Sequence, residues 1–217
     1  MRMSVDLTHR LLERRLVPVV VIEDAARAVD LAQTLLSAGL EVIEITFRTA
    51  AAEESIRRIA KECPKMLVGA GTLLDSDQVK KAVDAGAQFG LAPGLDEKVI
   101  HAAQKAKLTF VPGVVTPSEI QKGLSLGCPI QKFFPAEQAG GANYLKALEG
   151  PYGHTGVRFI PTGGLQANNV GPYLALKSVA ALGGSWFVDK KYIQGAEWET
   201  IGRLTKEAIQ LTTGAKS

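Results

Sequence analysis

The sequence predicts an α/β protein made of one (β/α)8 barrel with an extra helix at its N-terminus. Short β-branched runs alternate with longer amphipathic stretches, which is typical of repeated βα units around a parallel sheet. Glycine recurs between a helical pattern and the next apolar run, and unusual polar residues gather where the runs end. Together these three observations favour a barrel with a site at one rim.

The apolar runs are the predicted strands, and the stretch between two of them is long enough for one helix and its loops. Eight such units favour closure into a TIM barrel. An open Rossmann-type sheet stays as the structural alternative, although no GxGxxG follows the first run. The predicted strands are residues 17–22, 41–46, 66–71, 88–92, 108–112, 128–134, 157–161 and 179–182.

The joints between helices and strands carry the recurring glycines. Gly39, Gly86 and Gly127 each follow a helical pattern and precede a strand, a position that suits the left-handed residue ending a helix. Residues 4–14 have the pattern of an extra helix before the first strand. We expect that helix to cover the N-terminal end of the barrel.

Length and composition predict a single domain spanning residues 1–217. A chain of 217 residues with 46% hydrophobic content can bury one sizeable core. The net charge of +3 comes without a basic block, so neither nucleic acid nor a membrane is expected as a partner. Cys63 and Cys128 lack CxxC spacing, and the N-terminus lacks a secretory pattern, so we expect a cytoplasmic protein with free thiols.

Strand parity predicts that one carboxylate and one amine share the barrel interior. Residues two apart lie on one face of a strand, which groups Glu44 with Val42 and Thr46, and Lys132 with Ile130. A buried structural ion pair is one interpretation of Glu44 and Lys132. The other is catalysis, because burial favours the neutral amine that attacks a ketone to form an imine.

Other polar and glycine residues follow the predicted strands at the same end. Arg48 has the planar fork that suits a substrate carboxylate, or else it is a surface arginine. Thr72 ends the third strand and offers a hydroxyl. Gly163-Gly164 and Gly183-Gly184, with Ser185 next, suit a phosphate site in which a following helix N-terminus adds its dipole, although ordinary tight turns look the same.

No metal and no cofactor is expected. The histidines His9, His101 and His154 have no partner at ligand spacing, so we interpret all three as surface residues.

The motifs at the strand ends match a known family, because the chain resembles the 2-keto-3-deoxy-6-phosphogluconate (KDPG) aldolases, which often also cleave 4-hydroxy-2-oxoglutarate. The resemblance runs nearly end to end, and the lysine motif is its most specific part. It rests on Glu44-Ile45-Thr46-Phe47-Arg48-Thr49, Gly69-Ala70-Gly71-Thr72, Lys132-Phe133-Phe134-Pro135-Ala136, Pro161-Thr162-Gly163-Gly164 and Gly183-Gly184-Ser185-Trp186.

The resemblance implies a class I aldolase in which Lys132 is the Schiff-base lysine and Glu44 the general acid/base. It implies that Arg48 and Thr72 hold the pyruvyl carboxylate of a small 2-keto acid phosphate, and that the protein is a homotrimer. The remaining substrate-binding residues that it implies are Pro93 and Phe134 lining the pocket, Thr162, which agrees with the gluconate branch, and Gly163, Gly164, Gly184 and Ser185 at the phosphate.

Two other functions stay open on the residues alone. One is a phosphosugar isomerase or epimerase, with Glu44 as the base and Lys132 as an electrostatic partner only. The other is a barrel that binds a phosphorylated metabolite without catalysis.

Overall fold

The structure is a computed structural model that describes residues 5–214, of which 5–7 are described by their backbone alone. Nine strands lie within these residues, and helices separate most of them. The strands are β1 (Leu16–Val20), β2 (Val42–Thr46), β3 (Leu67–Gly71), β4 (Phe89–Leu91), β5 (Thr109–Val111), β6 (Gly113–Val114), β7 (Ile130–Phe133), β8 (Arg158–Phe159) and β9 (Leu182–Gly184).

The helices bury their apolar faces against the strands, and their ends follow local sequence signals. Asp75, Asp96 and Thr116 accept hydrogen bonds from backbone N–H groups and so begin three consecutive helices. The helices are α1 (Val5–Leu12), α2 (Ala28–Ser37), α3 (Ala52–Glu62), α4 (Ser76–Asp84), α5 (Glu97–Lys105), α6 (Pro117–Ser125), α7 (Gly141–Tyr152), α8 (Gly171–Leu174), α9 (Lys190–Gln194) and α10 (Trp198–Gly214).

The strands form parallel sheets. Six of them pair in the order β5-β4-β3-β2-β1-β9, and β6-β7-β8 form a second group. Only Pro112 separates β5 from β6 along the chain, and isolated parallel bridges join Phe159 to Val179 and Thr162 to Gly183. The α/β class with a curled parallel sheet is therefore confirmed, while closure into one eight-stranded barrel stays a prediction.

All eight predicted strands differ from the observed bounds by one or more residues, and two of these differences have a clear physical cause. The run 108–112 continues past Pro112 as β6, and the break falls at proline because it has no N–H for the ladder. The eighth strand is Leu182–Gly184 and not 179–182, because the register with β1 pairs Leu16 with Leu182 and Pro18 with Gly184. Val179 makes only the isolated bridge to Phe159.

The chain ends and joints follow the predicted pattern more closely. Helix α1 precedes β1 where residues 4–14 predicted a helix, although residue 4 lies outside the described part. Gly39, Gly86 and Gly127 have φ values of 90°, 98° and 78°, so the left-handed joints are confirmed. None of the helices within residues 5–214 is long and apolar enough to cross a membrane.

Candidate active site

Lys132 and Glu44 meet inside the curled sheet. The Lys132 Nζ lies 3.4 Å from Glu44 Oε1, and the two side chains are only 5% and 1% exposed. Strand β7 carries the lysine in register with Gly113, and β2 carries the glutamate in register with Gly69. The two strands are distant in sequence, but each directs its charged side chain to the interior, so the amine and the carboxylate meet there.

Two strand glycines leave space, one for the Glu44 carboxylate and one for the Pro93 backbone. A Cβ added to Gly71, which follows Gly69 on the same face of β3, would overlap the Glu44 carboxylate. A Cβ at Gly113, beside Lys132, would overlap the Pro93 carbonyl. This role does not follow from strand parity, although glycine in place of a β-branched residue inside a strand signals a close approach.

Lys132 has apolar neighbours, and one oxygen of the Glu44 carboxylate has no hydrogen-bond donor among the described residues. The Phe134 ring centroid lies 5.5 Å from Lys132 Nζ, and Ile130, on the same face of β7 as Lys132, is buried. Among the described residues, no group donates a hydrogen bond to Glu44 Oε2, although this oxygen is buried. A buried carboxylate oxygen normally has a donor, so Oε2 keeps the capacity to accept one more hydrogen bond.

Two residues expected at the substrate carboxylate and one expected to line the pocket lie at the rim beyond the strand ends. Arg48 follows β2 and is exposed, with no carboxylate paired to it within residues 8–214. Thr72 follows β3 with φ of 58°, a left-handed conformation that is strained for a β-branched residue. Pro93 follows β4 and is half-buried. All three follow parallel strands of the six-stranded sheet, so they lie at one edge of that sheet, whereas Lys132 lies on β7 in the second group of strands.

The two glycine segments expected at a phosphate lie next to each other. Thr162 bridges to Gly183, and Gly163 and Gly164 have φ values of 103° and 77°, which favour glycine. Thr162 and Gly184 are buried, while Ser185 is exposed at the rim.

The expectation of a helix N-terminus directly behind these glycines is wrong. The helices that follow begin at Gly171 and Lys190, several residues further along the chain. They are 4 and 5 residues long, too short for a substantial dipole. Backbone N–H groups and the Ser185 hydroxyl are the donors that this region offers an anion.

The histidines, Gln131 and Cys128 differ in their exposure to solvent. His9, His101 and His154 are exposed, as expected. Gln131, a polar residue facing the helices, is fully buried, and its Nε2 donates to the backbone oxygens of Ile120 and Cys128 at 3.1 and 3.0 Å. Cys128 is buried as well, and burial raises the pKa of its thiol to about 11.

Comparison with known proteins gives a consistent result. The protein-family model "KDPG and KHG aldolase" matches residues 7–204 of the chain. The KHG/KDPG aldolase of Escherichia coli strain K12 is 43% identical over 200 residues, which cover 92% of each protein.

Solved structures show the same likeness. A KDPG aldolase from Legionella pneumophila, with pyruvate captured as a covalent carbinolamine intermediate, has a TM-score of 0.88 and 36% identity, covering 92% of this chain and 96% of that one. The 2-keto-3-deoxy-6-phosphogluconate aldolase of Zymomonas mobilis ZM4, with 3-phosphoglycerate, has a TM-score of 0.86 and 38% identity, covering 95% and 96%.

Proposed function

Because this chain belongs to the KDPG and KHG aldolase family, we propose that Lys132 is the amine that forms an imine with a 2-keto acid and that Glu44 transfers the protons. The chain is a class I, Schiff-base aldolase and therefore a lyase. The observation that carries the residue assignment is the buried pair of Lys132 Nζ and Glu44 Oε1, 3.4 Å apart.

The reaction is the cleavage of KDPG to pyruvate and glyceraldehyde 3-phosphate. The Lys132 amine attacks the C2 ketone, and loss of water from the carbinolamine gives a protonated imine. A base removes the C4 hydroxyl proton, the C3–C4 bond breaks, and its electron pair moves onto C3 and into the imine as an enamine. Protonation of C3 and hydrolysis then release pyruvate and the free lysine.

Glu44 is the group within reach of these proton transfers. Its Oε1 contacts the lysine nitrogen, which places it beside the carbinolamine oxygen that must leave as water. Its Oε2 has no donor among the described residues and so is open to the C4 hydroxyl, directly or through water. One carboxyl group can thus serve both the imine steps and the carbon–carbon cleavage.

The rim residues hold the two charged ends of the substrate in this proposal. Arg48 binds the pyruvyl carboxylate through its guanidinium fork with Thr72 beside it, which presents the ketone to Lys132 at attack distance. Exposure of Arg48 without an ion pair among residues 8–214 supports this role. The remaining contacts are Pro93 and Phe134 along the chain of the substrate, and Thr162, Gly163, Gly164, Gly184 and Ser185 at its phosphate.

We further propose that the chain accepts 4-hydroxy-2-oxoglutarate (KHG) and cleaves it to pyruvate and glyoxylate. The E. coli relative carries both substrates in its name. The chemistry at Lys132 is the same for both substrates, because they share C1 to C4, and KHG has a C5 carboxylate where KDPG has its phosphorylated end. The phosphate site then contributes to KDPG turnover alone.

Three larger features belong to the same proposal. A single domain over residues 1–217 closes as one (β/α)8 barrel, which the bridges Phe159–Val179 and Thr162–Gly183 and the continuity of β5 with β6 support. The protein assembles as a homotrimer, as its family resemblance implies. It works in the cytoplasm, which its two buried, unpaired cysteines support.

Steady-state turnover tests the function. Pyruvate release is measured with a coupled lactate dehydrogenase assay on KDPG, its galactonate epimer and KHG, with Lys132→Arg as the blank. We expect release from KDPG and KHG in the presence of EDTA and no release by the variant. Absence of pyruvate with all three substrates would remove the proposed activity.

A further inference from the structure

The segment that follows Lys132 is bonded to the glycine turn at the proposed phosphate site. The backbone N–H of Ala136 donates to the Thr162 oxygen at 2.8 Å, and that of Glu137 donates to the Gly163 oxygen at 3.1 Å. The segment that follows Lys132 in the sequence is therefore in direct contact with the Gly163–Gly164 turn. Residue 137 is therefore linked through the backbone both to the strand that carries Lys132 and to the glycine turn.

Glu137 packs against the turn itself. A Cβ added to Gly164 would lie 2.8 Å from both Cβ and Cγ of Glu137, closer than real Cβ contacts come. Gly164 also has φ of 77°, a conformation that glycine adopts without strain. The backbone of the turn and the Glu137 side chain thus depend on each other's position.

The Glu137 carboxylate is held by one tyrosine. The Tyr173 hydroxyl on α8 donates to Glu137 Oε1 at 2.5 Å, and Tyr173 is only 1% exposed. Burial, and then the adjacent carboxylate, raise the pKa of the Tyr173 hydroxyl, so it remains a donor at neutral pH. Asn169, just before α8, donates from Nδ2 to the Gly164 oxygen at 3.0 Å and ties the same turn to that helix.

The charge of Glu137 makes this hydrogen bond consequential. A carboxylate beside a turn that binds phosphate repels the ligand, and the repulsion grows when the carboxylate has no donor or can rotate toward the anion. A hydroxyl donor fixes one oxygen and disperses part of its negative charge. Removing the donor should therefore harm phosphate binding while leaving the amine at Lys132 untouched.

Resting on the function proposed above, we propose that Tyr173 is a positioning residue for substrate phosphate: by holding Glu137, it fixes the Gly163–Gly164 turn and keeps the carboxylate from repelling the anion. The pair therefore sets the preference of the enzyme for phosphorylated over unphosphorylated 2-keto acids. Neither residue takes part in imine formation.

The test compares Tyr173→Phe with Glu137→Gln and the double variant. One readout is kcat and KM for KDPG, and the other is exchange of the pyruvate methyl protons with D2O, which requires the imine and enamine but no phosphate. For Tyr173→Phe we expect the KM for KDPG to rise about tenfold, with pyruvate exchange within about twofold of the wild type. Glu137→Gln, whose amide oxygen still accepts from Tyr173 without a charge, should keep the wild-type KM, and the double variant should recover most of the loss.

Tyr152→Phe is the matched control. It removes another tyrosine hydroxyl, which donates to the Pro117 oxygen at 2.9 Å at an exposed position. We expect wild-type kinetics from it. An unchanged KM for KDPG in Tyr173→Phe, or an equal fractional loss of KDPG cleavage and pyruvate exchange, would overturn the inference. Failure of the wild-type protein to exchange pyruvate protons would instead overturn the proposed function.

Discussion

Lys132 Nζ and Glu44 Oε1 lie 3.4 Å apart although the two residues are 88 positions apart in the sequence. Both side chains are buried, and Gly71 leaves the space in which the carboxylate lies. The amine, the carboxylate and the glycine can each be changed separately.

Lys132→Arg keeps a positive charge next to Glu44 but removes the amine. A guanidinium does not form the imine, so kcat for KDPG should fall on the order of 10⁴-fold or more. The coupled pyruvate assay measures this loss. Lys122→Arg, at a surface lysine paired with Glu97, is the control and should retain wild-type activity.

Glu44→Gln keeps the shape of the side chain and removes its proton-transfer capacity. We expect kcat for KDPG to fall by about 10² to 10⁴-fold, the usual contribution of a general acid/base. Thermal unfolding measured in parallel separates this from loss of the fold. A kcat within a few-fold of the wild type would assign the proton transfers to another group.

Gly71→Ala tests whether the glycine makes room for the carboxylate. The added methyl group would overlap Glu44, so the carboxylate must move, and a displacement of about 1 Å is enough to lower kcat about 10²-fold. Gly150→Ala is the matched control, because nothing lies within 4 Å of a Cβ at that position in α7. The control should be fully active, and equal activity of the two variants would contradict the account.

Gln131→Leu tests the buried amide that satisfies two backbone oxygens. The variant loses the bonds to the Ile120 and Cys128 oxygens but also removes the buried Gln131 Oε1, which has no donor among the described residues, so the free energy of unfolding in urea should fall by about 1 kcal/mol. The activity of the folded protein should remain, because Gln131 faces away from Lys132. Gln104→Leu loses one hydrogen bond at a half-buried position and should lower the free energy of unfolding by less.

Glu119 gives the stability a specific pH dependence. Burial alone would raise its pKa, but hydrogen bonds from Thr116 and Val115 outweigh that effect, and the pKa lies below its ordinary value. A lowered folded-state pKa stabilises the protein above the unfolded-state value and loses that contribution as the pH falls through the folded-state value.

The measurement for Glu119 is urea unfolding of the wild type and Glu119→Gln between pH 7 and pH 3. The glutamine still accepts these bonds but does not titrate. The free energy of unfolding of the wild type should exceed that of Glu119→Gln at pH 7 by less than about 1 kcal/mol, as expected for such a cap. This difference should shrink as the pH falls. A difference that stays constant with pH would contradict the assignment.

The sequence predicted most of what depends on periodicity. Alternation along 41–46 and 128–134 was enough to direct Glu44 and Lys132 to one interior, because strand parity is local. Contacts between distant segments were not predictable in this way. The space at Gly71, the hydrogen bond from Tyr173 to Glu137 and the acceptors of Gln131 each depend on which helix or strand packs opposite. The eighth strand was misplaced for the same reason, since its register is set by β1 and not by its own apolar run.

The central claim is that the Lys132 amine forms the covalent bond to the ketone. Incubation with pyruvate and sodium borohydride, followed by peptide mapping by mass spectrometry, identifies any lysine that is irreversibly alkylated. We predict one added pyruvyl group, on the peptide that contains Lys132, and none in Lys132→Arg. Adduct formation at another lysine, or no adduct in an enzyme that cleaves KDPG, would contradict it.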